Sequence, residues 1–315
     1  MRQHIFERVL SVSTEEIEFS FEGFRNVEWA HFFLNPRRLR GSDFLMRWSQ
    51  GVWSERRFTE AINATSRFYT IPYGPSGVAP KENVREFELY FERLEKAGLG
   101  AIKRPDLLVF DADNKNRVSA LVDDVGGEAE LPFIPESELS QLLDLAILGI
   151  ECENSLWVAG KMPDYNATLR PMKRLGGKLG LPKNAILPTV ILKEEDRGPI
   201  LEWQKSHNLP IHIWHAFYDK AYGLALDGAT RLIDEGLIEA TAQVFQAPGG
   251  ATTEKKLYKF YHHYAYEIGV SAEPPTLVPD FIEDPNGHIL PYVRFEGGRL
   301  NMGNRVLEIL EGMKK

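Results

Sequence analysis

Three carboxylates stand out in the chain. Asp106 follows Arg104-Pro105 and opens the apolar run Asp106-Leu-Leu-Val-Phe-Asp111. Glu151 and Glu153 interrupt a second apolar run, Ala146 to Val158. Side chains alternate along a strand, so Glu151 and Glu153 share one face, and Ile150 and Cys152 point the other way into the core. Two carboxylates on an otherwise apolar face repel each other and are costly to desolvate. A divalent cation is the usual compensation. Asp106, on a neighbouring strand, completes an all-oxygen set of the kind Mg²⁺ prefers. Such a set suits hydrolysis of phosphodiesters, where the metal acidifies a bound water and neutralises phosphoryl charge. The bland alternative makes Glu151 and Glu153 a solvated strand edge and Asp106 a turn cap.

The elements that would hold these residues are legible from pattern. Ser42 to Arg67 reads as a set of amphipathic helices. The turn-rich Pro72–Pro80 stretch reads as loop. Phe87, Tyr90, Phe91 and Leu94 recur at helical spacing within Glu82 to Ala97. Short apolar strands are expected at 106–111, 146–158, 186–193 and 211–218, with helices at 137–145 and 225–235. Strands alternating with helices give an α/β fold with a mixed or parallel sheet. The expected organisation is a helical region, 1–80, packed on a core, 81–315, as one compact unit.

Net charge is -8 over 315 residues, which by itself argues against a nucleic-acid partner. The local field matters more than the sum. Between Leu156 and Lys183, six basic residues (Lys161, Arg170, Lys173, Arg174, Lys178 and Lys183) face one acid, Asp164. Lysines and arginines here would neutralise phosphates, and an arginine could bind a guanine edge bidentately. A solvated basic loop is the ordinary alternative. Arg37, Arg38, Arg40, Arg47, Arg56 and Arg57 could form the other wall of a cleft. The single cysteine, Cys152, fits a reducing cytoplasm, and no run is long and apolar enough to span a bilayer.

Arg104-Pro105-Asp106 followed by Ile150-Glu151-Cys152-Glu153 resembles the PD-(D/E)xK nuclease signature, with the Asp on one strand and the (D/E)xK carboxylate on its neighbour. The stretches Arg40–Gly51 and Glu151–Trp157 resemble type II restriction endonucleases, and the likeness runs from about Arg37 to Glu267. The resemblance implies a PD-(D/E)xK core: a central mixed sheet flanked by helices, with helical amino-terminal additions. It implies Mg²⁺-dependent cleavage of both strands of duplex DNA at a short palindromic site by a homodimer or dimer of dimers. Asp106 and Glu151 become metal ligands, and Glu60 becomes the helix carboxylate that often supports the metal in this superfamily. Arg170 and Arg174 resemble weakly the guanine-reading arginines of enzymes with CCGG-like sites; Arg40 joins them as a DNA contact. Glu153 stands where the pattern has lysine, so Lys161 is a candidate to supply the ammonium group, with a plain surface lysine as the equal alternative. The 45 positions from Asp106 to Glu151 call for an insertion, near Asp123 to Glu138.

Other functions find less support. A repair or structure-specific nuclease would share the core, and a DNA-binding protein with a decayed site would explain Glu153. A glycosidase needs carboxyls on opposite sides of a sugar, which two glutamates on one face do not provide. His262-His263, and His212 with His215, match no zinc spacing. Cys152 reads as a core residue rather than a nucleophile.

Overall fold

A computed structural model describes residues 42–79, 84–99, 103–246, 252–283 and 289–314. Arg40, with Arg37 and Arg38, lies outside the described residues. The fold is mixed α/β, organised on a seven-stranded sheet whose order is β1-β2-β3-β7-β8-β11-β14. Its strands are β1 (Phe68–Pro72), β2 (Leu107–Asp111), β3 (Ala146–Asn154), β7 (Ile211–Ala216), β8 (Lys220–Ala225), β11 (Tyr266–Ser271) and β14 (Leu300–Met302). Among these pairs β3 and β7 run parallel, and the other neighbours are antiparallel. The parallel pair requires a crossover. Helix α6 (Glu194–His207) lies within it, after β6 (Thr189–Lys193).

Alternation along the strands builds two apolar layers. Leu107, Val109, Leu148, Ile150 and Trp214 pack with Phe58, Ala61 and Ile62 of helix α1 (Ser42–Ala64), and with Val306 and Leu310 of helix α8 (Asn304–Glu311). On the other face Leu108, Phe110, Ile211 and Ile213 pack with Ile200 and Trp203 of α6. Helix α7 (Leu226–Asp234) adds Leu226, Ala229 and Leu232 to that layer. A smaller sheet, β6-β10-β9, joins it too, with β9 at Thr241–Gln246 and β10 at Thr252–Tyr261.

The Ser42–Arg67 stretch forms one long helix rather than several, because no glycine cap or proline divides it; Gly51 is tolerated in its interior. Helix α3 (Val84–Lys96), β2 and α7 fall within a residue or two of the pattern reading. The length between β2 and β3 is taken up by helix α4 (Lys115–Asp124), a 3₁₀ turn at Glu128–Phe133 and helix α5 (Ser140–Leu145). His262 and His263 sit in a 3₁₀ turn, not a strand, where the His262 ring stacks on Tyr165 at 5.3 Å between centroids. A two-stranded ribbon, β12 (Pro275–Glu283) with β13 (Ile289–Gly297), packs Ile282, Leu290 and Tyr292 on Leu45 and Trp48 of α1.

Candidate active site

Strand register brings the carboxylates together. Leu107 pairs with Ile150 across the antiparallel β2–β3 ladder, so the residue before Leu107 comes beside the residue after Ile150. These are Asp106 and Glu151, both buried (7% and 5% exposed). The Cys152 backbone N–H donates to Asp106 Oδ2 at 2.7 Å and fixes the carboxylate across the strand gap.

The backbone of Asp106 is held from behind. Its carbonyl accepts the N–H groups of Tyr73 at 2.8 Å and Gly74 at 3.3 Å. A Cβ at Gly77 would lie 2.2 Å from that carbonyl oxygen, so the short helix α2 (Pro75–Val78) after β1 needs glycine to approach so closely. Arg104, 3% exposed, anchors the same loop by donating to the carbonyls of Leu131 at 2.8 Å and Ile134 at 2.9 Å. Its Nε lies 2.9 Å from Glu136 Oε1. Glu136 also accepts from Trp203 Nε1 at 2.5 Å and meets His207 Nε2 at 2.9 Å. Burial alone would raise the Glu136 carboxyl; these donors and the Arg104 charge hold it below its ordinary value instead.

Glu151 and Glu153 face the smaller sheet and α6, and meet two lysines there. Lys103 Nζ closes on Glu151 Oε1 and lies 3.7 Å from Asp196 in the first turn of α6. Lys193, the last residue of β6, lies 3.0 Å from Glu153 and 3.6 Å from Asp196. Burial disfavours the Lys103 ammonium, but Glu151, Asp106 and Asp196 outweigh it and hold the proton above the ordinary lysine range. Lys193 is raised likewise, Glu153 first. Burial pushes Asp106 well above the usual carboxylate range, helped by the charges of Glu151 and Glu55. Burial raises Glu151 as well, Glu153 adding to it and Lys103 opposing it.

Among the described residues, four carboxylates, Asp106, Glu151, Glu153 and Asp196, share this corner with the ammonium groups of Lys103 and Lys193. Glu151 Oε2 is buried with no hydrogen-bond partner. No three acidic, histidine or cysteine side chains among the described residues form a closed cage. The donor set instead suits Mg²⁺, which takes one or two carboxylates and keeps water or phosphate oxygen for its other positions. An orphaned carboxylate oxygen beside a second buried carboxylate fits that demand.

Of the two glutamates of α1, Glu55 is buried and its charge acts on Asp106, whereas Glu60 is exposed. Glu55, 8% exposed, shares a helix face with Phe58 and Ile62, which enter the core. Glu60 projects from another face, exposed, 3.9 Å from Arg56. Lys161 is also elsewhere, in a short turn whose side chain lines an open outer depression with Trp157 and Gln50. Arg170, Lys173, Arg174, Lys178 and Lys183 are all exposed, on or beside the small β4–β5 hairpin (Arg170–Pro171 with Leu179–Gly180). Within it Arg174 donates to the Leu181 carbonyl at 2.6 Å and Lys178 to the Glu235 carbonyl at 2.7 Å. Lys183 lies 3.8 Å from Glu239. His212 and His215 are buried within β7, and burial lowers them to about 4 and about 3.

No helix among the described residues is long and apolar enough to cross a membrane. No curated protein and no solved structure matches the chain. Residues 35–170 match the sequence model of the AccI restriction endonuclease family. That span contains Glu55, Lys103, Asp106, Glu151 and Glu153, and leaves Lys193 and Asp196 beyond it. The match indicates a type II restriction endonuclease, an enzyme whose substrate is DNA.

Proposed function

We propose that this chain is a site-specific, Mg²⁺-dependent endonuclease that hydrolyses both strands of duplex DNA through a PD-(D/E)xK-type site. The observation that carries the reading is the β2–β3 register, which sets Asp106 beside Glu151 with Lys103 on the latter. Asp106 and Glu151 would hold the metal. When bound, it would supply a more acidic water and charge neutralisation at the phosphate. Lys103 occupies the role of the lysine that Glu153 displaces: its ammonium is kept protonated and can stabilise charge on a phosphate oxygen or hold a water. Glu153 and Asp196 fix Lys193 as a second cation at the rim. The exposed basic residues from Arg170 to Lys183 would lie along the DNA backbone, with Arg170 and Arg174 as candidates for guanine edges and Arg40 as a further contact. Cutting both strands of a palindromic site, CCGG-like or other, calls for a homodimer or a dimer of dimers.

The test is incubation of the purified chain with phage-length duplex DNA in Mg²⁺ and in EDTA, with Asp106→Asn and Glu151→Gln in parallel. Discrete Mg²⁺-dependent fragments from the wild type, absent from both variants although these still bind DNA, are expected. Full cleavage by either variant would remove the site assignment. A smear would replace site-specific cleavage by non-specific nuclease activity.

A further inference from the structure

The catalytic strand β3 runs straight into a loop that carries the most exposed large aromatic side chain among the described residues outside the ribbon. Trp157 is 54% exposed and its neighbour Leu156 42%. The other described tryptophans, Trp48, Trp53, Trp203 and Trp214, are all at least nine-tenths buried. The loop backbone is anchored on both sides of Leu156 and Trp157. Ser155 N–H donates to the Ala216 carbonyl at 2.9 Å, and the Trp157 carbonyl accepts Tyr218 N–H at 3.0 Å. On the far side Asp219 accepts the N–H groups of Ala159 at 2.6 Å and Gly160 at 2.9 Å. The loop is tied down on both sides of Trp157, and the apolar surface stands toward solvent.

The surface forms the wall of a shallow, open depression lined by Gln50 of α1, Ser155 to Val158 and Lys161. Its chemistry is an aromatic and aliphatic wall, one amide with donor and acceptor, and one ammonium group. A nucleobase has matching parts: a flat π face for stacking, polar edges for an amide, and an attached phosphate for a cation. In sequence, Lys161 opens a basic run to Lys183 with Asp164 as its one acid, which favours a polyanion as the occupant.

We propose that Trp157 and Leu156 form a stacking site for one unpaired nucleobase of the bound DNA, with Gln50 at the base edge and Lys161 at its phosphate. The proposal rests on the nuclease reading only for its substrate, and gives Lys161 a role in place of the catalytic one. A base must leave the duplex stack to reach such a wall, which is easiest where it is already unpaired.

The test uses two short duplexes of the same sequence, one perfect and one with a single extrahelical 2-aminopurine, titrated with protein in EDTA. Wild type is expected to bind the bulged duplex roughly ten-fold more tightly and to quench the probe, in line with the usual size of base–aromatic stacking. Trp157→Ala should bind both duplexes equally without quenching, and Trp157→Phe should restore most of the preference. Equal binding of both duplexes by wild type, or a preference that survives in Trp157→Ala, overturns the stacking site. Mg²⁺-dependent cleavage of phage DNA is scored separately. A wild type that cleaves but shows no bulge preference loses this proposal alone, whereas one that prefers the bulge without cleaving keeps it and loses the nuclease reading.

Discussion

Lys103 and Glu151 form a largely buried ion pair, with side chains 23% and 6% exposed, between a loop and the middle of a strand that are distant in sequence. The pair holds an ammonium group at the carboxylate that the metal would use. Lys161, the nearest lysine downstream of the strand, lines the outer depression instead.

Lysine substitutions should therefore separate cleanly. Lys103→Met is expected to lower the cleavage rate roughly 100- to 1,000-fold, the usual loss for one charge-stabilising donor. Lys161→Met should leave the single-turnover rate within a few-fold and weaken DNA binding instead. Rates measured at saturating protein distinguish the two. A Lys161→Met enzyme that binds normally but does not cut would return the catalytic ammonium to Lys161.

The closeness of two of the three carboxylates was legible before folding. Asp106 opens an apolar run and Glu151 interrupts another, so pattern gave the two strands. The resemblance to the PD-(D/E)xK signature implied that they are neighbours, as the β2–β3 ladder has them. The supporting residues were not legible for definite physical reasons. Lys103 lies in a loop with no periodicity, and its partner is chosen by β2–β3 register. Lys193 and Asp196 arrive through the packing of a second sheet, a contact with no local signal. Glu55 had a signal that was available: it falls on the helix face of Phe58 and Ile62, whereas Glu60 falls between Thr59 and Ala61 on a face that Arg56 shares. Six basic residues after β3 were visible as composition, but which carbonyls hold Arg174 and Lys178 is decided by tertiary contacts.

The two helix glutamates give a direct comparison. Glu55→Gln removes a charge that acts on Asp106, and should reduce cleavage or apparent Mg²⁺ affinity about 10- to 100-fold, as expected for a group supporting a metal ligand. Glu60→Gln should stay within about two-fold, since exposed positions rarely matter by more than about 0.5 kcal/mol. Titration of cleavage rate with Mg²⁺ for both variants checks this. A larger effect from Glu60 would reverse the assignment of the helix carboxylate.

Glu136 should matter for stability. It gathers Arg104, Trp203 and His207 around one carboxylate, and Arg104 is almost fully buried. Glu136→Leu leaves the guanidinium without its counter-charge, a change expected to cost about 3 kcal/mol, the lower end for breaking a buried pair because Glu136 itself is partly solvated. Urea denaturation at pH 7.5 would measure it. The double variant Glu136→Leu with Arg104→Met should recover part of the loss. No recovery would mean that the Trp203 and His207 contacts, rather than the ion pair, hold the loop.

His215 supplies the pH dependence. It lies in register with Glu153 on the neighbouring strand, fully buried, with neither ring nitrogen hydrogen-bonded. Burial lowers it to about 3, and His212 to about 4, whereas both titrate near 6.5 when unfolded. The unfolded chain thus binds more protons between these values, so stability is complete above pH 6.5 and falls as pH drops toward 4. Each histidine contributes a slope of at most about 1.4 kcal/mol per pH unit in that window. His215→Phe removes one such group, so its unfolding free energy should fall less steeply than that of wild type between pH 6.5 and 4.5. The comparison of urea midpoints across that range isolates the histidine from carboxylates that both proteins share. Identical slopes would mean that the His215 imidazole takes up its proton within the fold, and that a neighbouring acceptor compensates the charge.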